Sequence, residues 1–243
     1  MRQNYRITLC YDGTDYFGWQ RQPNKKTIQG SLEKALTQIT RKNLPIIGAG
    51  RTDAGVHALA QVAHFKTDSS LGEKEFMKAF NSLLPKDIRI LSVQKVDQNF
   101  HARKTAVSKI YQYRIRKTPD INPFIFRYVL YWSSPLDVDQ MKKAARLFVR
   151  EADFTPFSSN RHLHPVRRVL HSEIHTKGNE IIFEVEANGF LRYMVRTMVG
   201  TLLEIGRGKW PPEIVDNLFK EKKRSLASPT APPQGLCLIK VNY

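Results

Sequence analysis

The amino-acid sequence predicts an α+β fold of two ferredoxin-like (split β-α-β) halves packed closely. The sheet is expected to be mainly antiparallel or mixed, with helices on one side and a basic cleft at the junction. Three observations carry this reading. Apolar and polar residues alternate over Tyr5, Ile7, Leu9 and Tyr11; the segments that follow run β-α-β-β-α-β up to Val96; and strands and helices interleave again beyond Phe100.

Taken in order, the opening alternation is that of a half-buried strand. Ile28, Leu32, Ala35, Leu36 and Ile39 then share one helical face, with Thr27 as N-cap. Short strands are expected at Pro45 to Gly50 and Ala60 to Lys66, separated by a glycine-bearing loop. A second helix is expected at Glu73 to Leu84, where Phe76, Met77, Phe80, Leu83 and Leu84 keep helical spacing and Pro85 stops the run. Ile88 to Val96 closes the first half as a strand. The second half offers strands near Thr105 to Arg116, Arg127 to Trp132, Pro165 to Thr176, Ile181 to Ala187 and Leu236 to Val241. Its helices are expected at Val138 to Val149, at Phe190 to Ile205, which is the most periodic segment of the chain, and at Pro211 to Lys220. No linker or low-complexity tract separates the halves, which are drawn at 1–104, carrying the glycine loop, and 105–243.

Composition narrows the partner. Of 243 residues 41% are hydrophobic, enough for a sizeable core, while 39 Lys and Arg against 22 Asp and Glu leave a formal charge of +17. Such an excess favours a polyanion, nucleic acid first. A membrane is disfavoured, because no apolar run could span a bilayer and no basic amphipathic end segment is present. Cys10 and Cys237 stand alone near either end, which suits a reduced compartment and supports neither a disulfide framework nor a cysteine-rich zinc site. The N-terminus enters strand-like alternation without a signal-peptide stretch, so a cytoplasmic location is expected.

The densest signal is Gly48-Ala49-Gly50-Arg51-Thr52-Asp53-Ala54-Gly55-Val56-His57-Ala58. A dinucleotide fingerprint needs glycine where Asp53 stands, and a phosphate loop needs Lys then Ser or Thr where Val56 and His57 stand. A loop aspartate most commonly bonds its own turn. Here glycines on both sides allow a backbone to approach a ligand closely, and Arg51 supplies a cation that can hold a carboxylate ionised or contact phosphate. An ionised, placed carboxylate can serve as nucleophile or base.

Phe100 to Tyr128 contains seven Lys or Arg and one acidic residue, interleaved with Tyr111, Tyr113, Phe124 and Phe126. Cations for phosphates and rings for bases suit unpaired or flipped RNA; the competing reading is a solvated strand edge in which Tyr111, Tyr113 or both belong to the core. A second basic cluster holds Arg161, His162, His164, Arg167 and Arg168 and reads as an RNA-contacting loop, since no Cys or acidic group accompanies the two histidines as a metal site would need. Taken singly, His57, His64, His101, His171 and His175 read as structural or surface histidines, with no Ser or Cys nucleophile beside them. Arg196 follows Arg192 by one helical turn on the Phe190 helix, and arginines so placed are ordinarily exposed.

Gly50 to Ala58 resembles the catalytic loop of the tRNA pseudouridine synthase A family. Other segments agree with it in order: Tyr11-Asp12-Gly13 with Gly18-Trp19-Gln20, Thr27-Ile28-Gln29, Asn81 to Ile88, Phe100 to Arg103, Lys109 to Tyr113, Asp153-Phe154, Met194-Val195-Arg196 and Gly235-Leu236. The resemblance implies that Asp53 is the catalytic carboxylate, that Arg196 stands beside it and keeps it charged, and that Tyr111 stacks on the target uracil. It places Arg51, which would help displace the base, together with His57, Arg103 and Lys109 against the RNA. No cofactor and no metal are called for. The implied partner is tRNA, modified in the anticodon stem and loop at positions thirty-eight to forty, by a homodimer. No role is carried onto Arg192 and Tyr193, where the family varies. Two rival classes remain: a noncatalytic RNA-binding module, and a metal-dependent nuclease pairing Asp53 with histidines.

Overall fold

Tyr5, Ile7, Leu9 and Tyr11 are all buried, and the strand they define, β1 (Gln3–Tyr11), is the centre of the first unit's sheet. In the computed structural model, which describes residues 2–159 and 164–243, the chain forms two units, 1–107 with 238–243, and 108–237. In the first, helix α1 (Ile28–Thr40) follows β1, and its Thr27 N-cap accepts from the Gly30 amide as the sequence pattern requires. Strands β2 (Ile47–Gly48) and β3 (His57–Thr67), helix α2 (Glu73–Leu83) and strand β4 (Ile88–Val96) complete the split β-α-β pattern.

Strand β1 pairs antiparallel with β3 on one side, Ile7 opposite Ala63, and with β4 on the other, Ile7 opposite Val93. These strands run in the order β4-β1-β3, and the short β2 pairs antiparallel with β3 off this path. One face of this sheet meets α2 through a cluster of rings: Tyr5 stacks on Phe65 at 5.5 Å, and Phe76 lies 4.9 Å from Tyr5 and 5.3 Å from Phe65. Each buried ring of this size removes apolar area worth on the order of 1.5–3 kcal/mol. The last strand, β10 (Leu236–Asn242), lies beside β3, and its end is tied into this unit by Val107 N–H to Asn242 O and by the Tyr243 hydroxyl to Ala102 O.

The second unit is built on β5 (Ser108–Lys117), with β6 (Leu130–Trp132) parallel to it and β9 (Glu180–Ala187) antiparallel. Beyond β9 come β8 (Val166–Lys177) and the three-residue β7 (Glu151–Asp153). Tyr113, Ile115, Phe183 and Val185 are buried along β5 and β9. Helices α3 (Val138–Arg146), α4 (Met194–Gly206) and α5 (Ile214–Glu221) complete the unit; Asp137 caps α3 through the amides of Asp139 and Gln140. The whole is α+β with mainly antiparallel strands, as the sequence predicts.

Several boundaries move for local reasons. Strand β5 begins at Ser108 rather than Thr105 because 101–105 closes into a turn, with Thr105 N–H bonded to His101 O. The expected helix from Phe190 starts only at Met194, since Tyr193 takes the left-handed conformation at φ 66° and breaks the run before it. Likewise the turn over Pro211 and Pro212 uses tight bonds, Ile214 N–H to Pro211 O and Val215 N–H to Pro212 O, before α5 begins.

Candidate active site

The loop between β2 and β3 is held by the segment that follows β1. Tyr16 O accepts from Gly55 N–H at 3.3 Å, Thr52 O accepts from Trp19 N–H at 3.0 Å, and His57 Nδ1 accepts from Gly13 N–H at 3.1 Å. Side chains add a fourth tie, Tyr11 Oη to Thr52 Oγ1 at 2.8 Å. Approach this close demands glycine on the clamping side. A Cβ on Gly13 would lie 2.0 Å from Val56 O, and one on Gly18, at φ +81°, would lie 2.6 Å from Thr52 O. The same clamp starts the helix beside it, for Gly18 O and Trp19 O accept the amides of Ile28 and Gln29.

Within the loop, Val56 N–H bonds Asp53 O, with Gly55 at φ +77°, which closes a tight turn immediately after the aspartate. Asp53 is therefore presented half-buried at the head of a turn, between buried Thr52 and exposed Ala54, while Arg51 is exposed. His57 differs from an RNA-facing residue: it is 5% exposed, with Nδ1 on the Gly13 amide and 3.2 Å from Asp12 Oδ1, so it braces the base of the loop. Arg103 is exposed and follows a turn in which His101 Nδ1 accepts its amide.

In the second unit, Tyr111 and Tyr113 both lie on β5. Tyr113 is the core tyrosine: it is fully buried, its hydroxyl bonds Pro232 O at 2.8 Å, and burial pushes that hydroxyl's pKa up while the nearby Arg196 charge opposes the rise. Tyr111 is 7% exposed and stands edge-on to Phe190 at 5.0 Å, a contact that fixes its ring plane. Lys109, two residues earlier, is also largely buried.

Arg196 sits in the first turn of α4, half-buried, where Nε donates to Ala231 O at 2.7 Å and the guanidinium lies 5.0 Å from the Tyr193 ring centre. Arg192 flanks the same ring at 4.9 Å. A helix whose residues Met194, Val195, Met198, Val199, Leu202 and Leu203 are all buried gives this arginine a fixed root.

Arg161 and His162 lie outside the described residues; His164 and Arg168 are exposed, and Arg167 donates to the carbonyls of His164 and Val166. Among the described residues, the sequence did not announce one group with metal-ligand geometry, His171, Glu173 and Glu184 on β8 and β9, whose ligand atoms lie within 4.8 Å of one another. Glu184 already accepts from Gln112 at 2.6 Å, and Glu173, its register partner on β8, lies 3.3 Å from His171 Nε2. Among the described residues no helix is long and apolar enough to cross a membrane.

Comparison with known proteins adds an independent line. A family model described as tRNA pseudouridine synthase matches residues 8–103 and 144–243. The chain is 43% identical over 243 residues to tRNA pseudouridine synthase A 2 of Clostridium perfringens, covering 99% of this chain and 100% of that one. It is 42% identical over 252 residues to tRNA pseudouridine synthase A of Thermodesulfovibrio yellowstonii, covering 99% of both. Over 246 residues it is 42% identical to tRNA pseudouridine synthase A of a Geobacillus species, covering 100% of this chain and 99% of that one.

Proposed function

The chain belongs to the tRNA pseudouridine synthase family, and from that premise we propose that it isomerises uridine to pseudouridine in the anticodon stem and loop of tRNA, with Asp53 as the catalytic carboxylate. The reaction breaks the bond from ribose C1′ to N1, turns the uracil and joins C1′ to C5. The hydrogen on C5 is lost and N1 gains one, so the formula is unchanged and no redox partner is consumed. The enzyme must take the base from its stack, present a carboxylate and retain the freed ring. Whether the carboxylate attacks the nucleoside or removes a sugar proton, it must be ionised and rigidly placed.

The observation that carries the reading is the clamped loop. Four ties from Tyr11, Gly13, Tyr16 and Trp19 hold the stretch from Thr52 to His57 on either side of a half-buried aspartate. A carboxylate closed over by a flipped base loses hydration and keeps its proton more readily, unless a cation lies within about 4 to 6 Å. In this proposal Arg196 is that cation, and its root on α4 and its bond to Ala231 O suit a permanent partner. Tyr111 stacks on the uracil, while the exposed Arg51 enters the RNA in place of the target base. Arg103 and Lys109 contact the backbone of the RNA, and His57 braces the loop instead of touching RNA. We place the reaction in the cytoplasm, carried out by two copies of the chain acting together on positions thirty-eight to forty.

The test is mass mapping of pseudouridine in tRNA lacking the modification, after incubation with the protein and no added metal. Conversion at those positions is expected. Unchanged uridine there, with tRNA still bound, would leave a binding module.

A further inference from the structure

Thr52 is the link between the candidate carboxylate and the sheet. It is 6% exposed, and its Oγ1 lies 2.8 Å from the hydroxyl of Tyr11, itself 4% exposed. Either oxygen of the pair can donate, and Tyr11 Oη also accepts from Gln61 Nε2 at 3.5 Å. Gln61 is fully buried and fixed at both ends of its amide, donating to Gly50 O at 3.2 Å and accepting from Val62 N–H at 3.2 Å. A line of buried polar groups therefore runs from β3 through β1 to the residue immediately before Asp53.

Thr52 is held twice, by its carbonyl on Trp19 N–H and by its hydroxyl on Tyr11. Two anchors on one residue fix the orientation of the peptide that leads into Asp53; a single anchor leaves it a pivot. We propose that Tyr11 and Thr52 are positioning residues for the isomerisation, setting the depth and direction of the Asp53 carboxylate without contacting RNA. This rests on Asp53 being the catalytic carboxylate. The sequence motif passes through both residues, yet their separation of 41 positions conceals the bond.

Tyr11→Phe and Thr52→Val each delete the bond while nearly keeping shape. Steady-state kinetics on unmodified tRNA are expected to show kcat lower by about 10- to 100-fold, the scale of a sub-ångström to ångström misplacement, with KM and tRNA affinity within about twofold. Thr52→Ser retains the hydroxyl and should recover most of the activity. The double variant should be no worse than the poorer single one, because both remove the same interaction.

Parent-like kcat in both single variants, losses that multiply, or a loss confined to KM would each overturn the proposal. So would unfolding of Tyr11→Phe and Thr52→Val alike, for the pair would then hold the sheet rather than aim the loop. Asp53→Asn, run in parallel, separates this from the reading beneath it: turnover by that variant would overturn the catalytic assignment itself, whatever the hydroxyl pair does.

Discussion

The loop around Asp53 and the helix that carries Arg196 fix their charged groups by opposite means. The loop buries Thr52, Val56 and His57 and is held by amides and carbonyls of a second loop and by the Tyr11 hydroxyl, at distances that only glycine permits at Gly13 and Gly18. Arg196 instead projects from a helix buried along most of its length, and the local cost there is conformational, a tyrosine at φ 66° just before the first turn. The first design is intolerant of added atoms, whereas the second is intolerant of lost packing. Each can be broken separately.

The largest effect is expected from Asp53→Asn, which keeps the size of the side chain and removes the charge. Turnover should fall to below about one-thousandth of the parent while tRNA affinity, set by the basic surface, stays within a few-fold. Filter binding alongside pseudouridine mapping measures both. Gly13→Ala should come next. Its methyl group would overlap Val56 O, so the loop must move, with activity reduced about 100-fold and stability lowered by about 1–3 kcal/mol. A fully active alanine variant would show that the loop is not clamped as described.

On the helix side, Arg196→Met keeps the apolar stem and removes the cation. Activity should fall, and the acidic limb of the pH–rate profile should move up by about 1 to 3 pH units, since the carboxylate then loses its charge at higher pH. An unshifted limb would return the task to Arg51. Tyr193→Asn should raise unfolding stability by about 1 kcal/mol, because Asn tolerates the left-handed region, while activity drops as the Arg196 guanidinium loses its ring. Both quantities moving together would deny the ring any role in holding the arginine.

The smallest effect concerns the far end of β3. Burial, reinforced by His101, lowers the His64 pKa from 6.5 to about 4, with Lys66 adding to the shift and a bond to the Ile47 backbone opposing it. An imidazole kept neutral by folding stabilises the fold above its unfolded value, and that contribution is lost as pH falls from about 6.5 through about 4. His64→Asn, which can still accept from Ala102 N–H, should flatten urea midpoints across this window. Unchanged slopes would assign the acid sensitivity elsewhere.

The same contrast explains what was legible in the sequence. The loop betrays itself through composition, an Asp and an Arg framed by glycines, of which Gly48 lies against Trp19 and Gly55 takes φ +77°. Strands β1 and β4 and the capped α1 were equally readable, since in each one face is more deeply buried than the other. The periodicity of Phe190 to Ile205 marks α4 but not its start, because nothing in the string foretells that Tyr193 would turn left-handed. Strand β2 shrank to two residues, Ile47 and Gly48, with Ile47 left 38% exposed. The Tyr11–Thr52 bond and the bracing of His57 by Gly13 depend on the antiparallel register of β1 against β3, which residue type alone does not reveal.

The place of β10 carries a consequence for biosynthesis. The first unit is discontinuous in the chain: 238–243 belong with 1–107, and β10 lies beside β3. At roughly 5–20 residues per second on the ribosome, residues 108–237 take on the order of ten seconds to emerge. During that interval the nascent first unit has its clamp, its loop and its aromatic core, but part of the β3 edge awaits its partner. An open strand edge is a template for pairing with another chain. Until β10 arrives the β3 edge is open to such pairing, and slowing translation beyond Val107 should lengthen that interval.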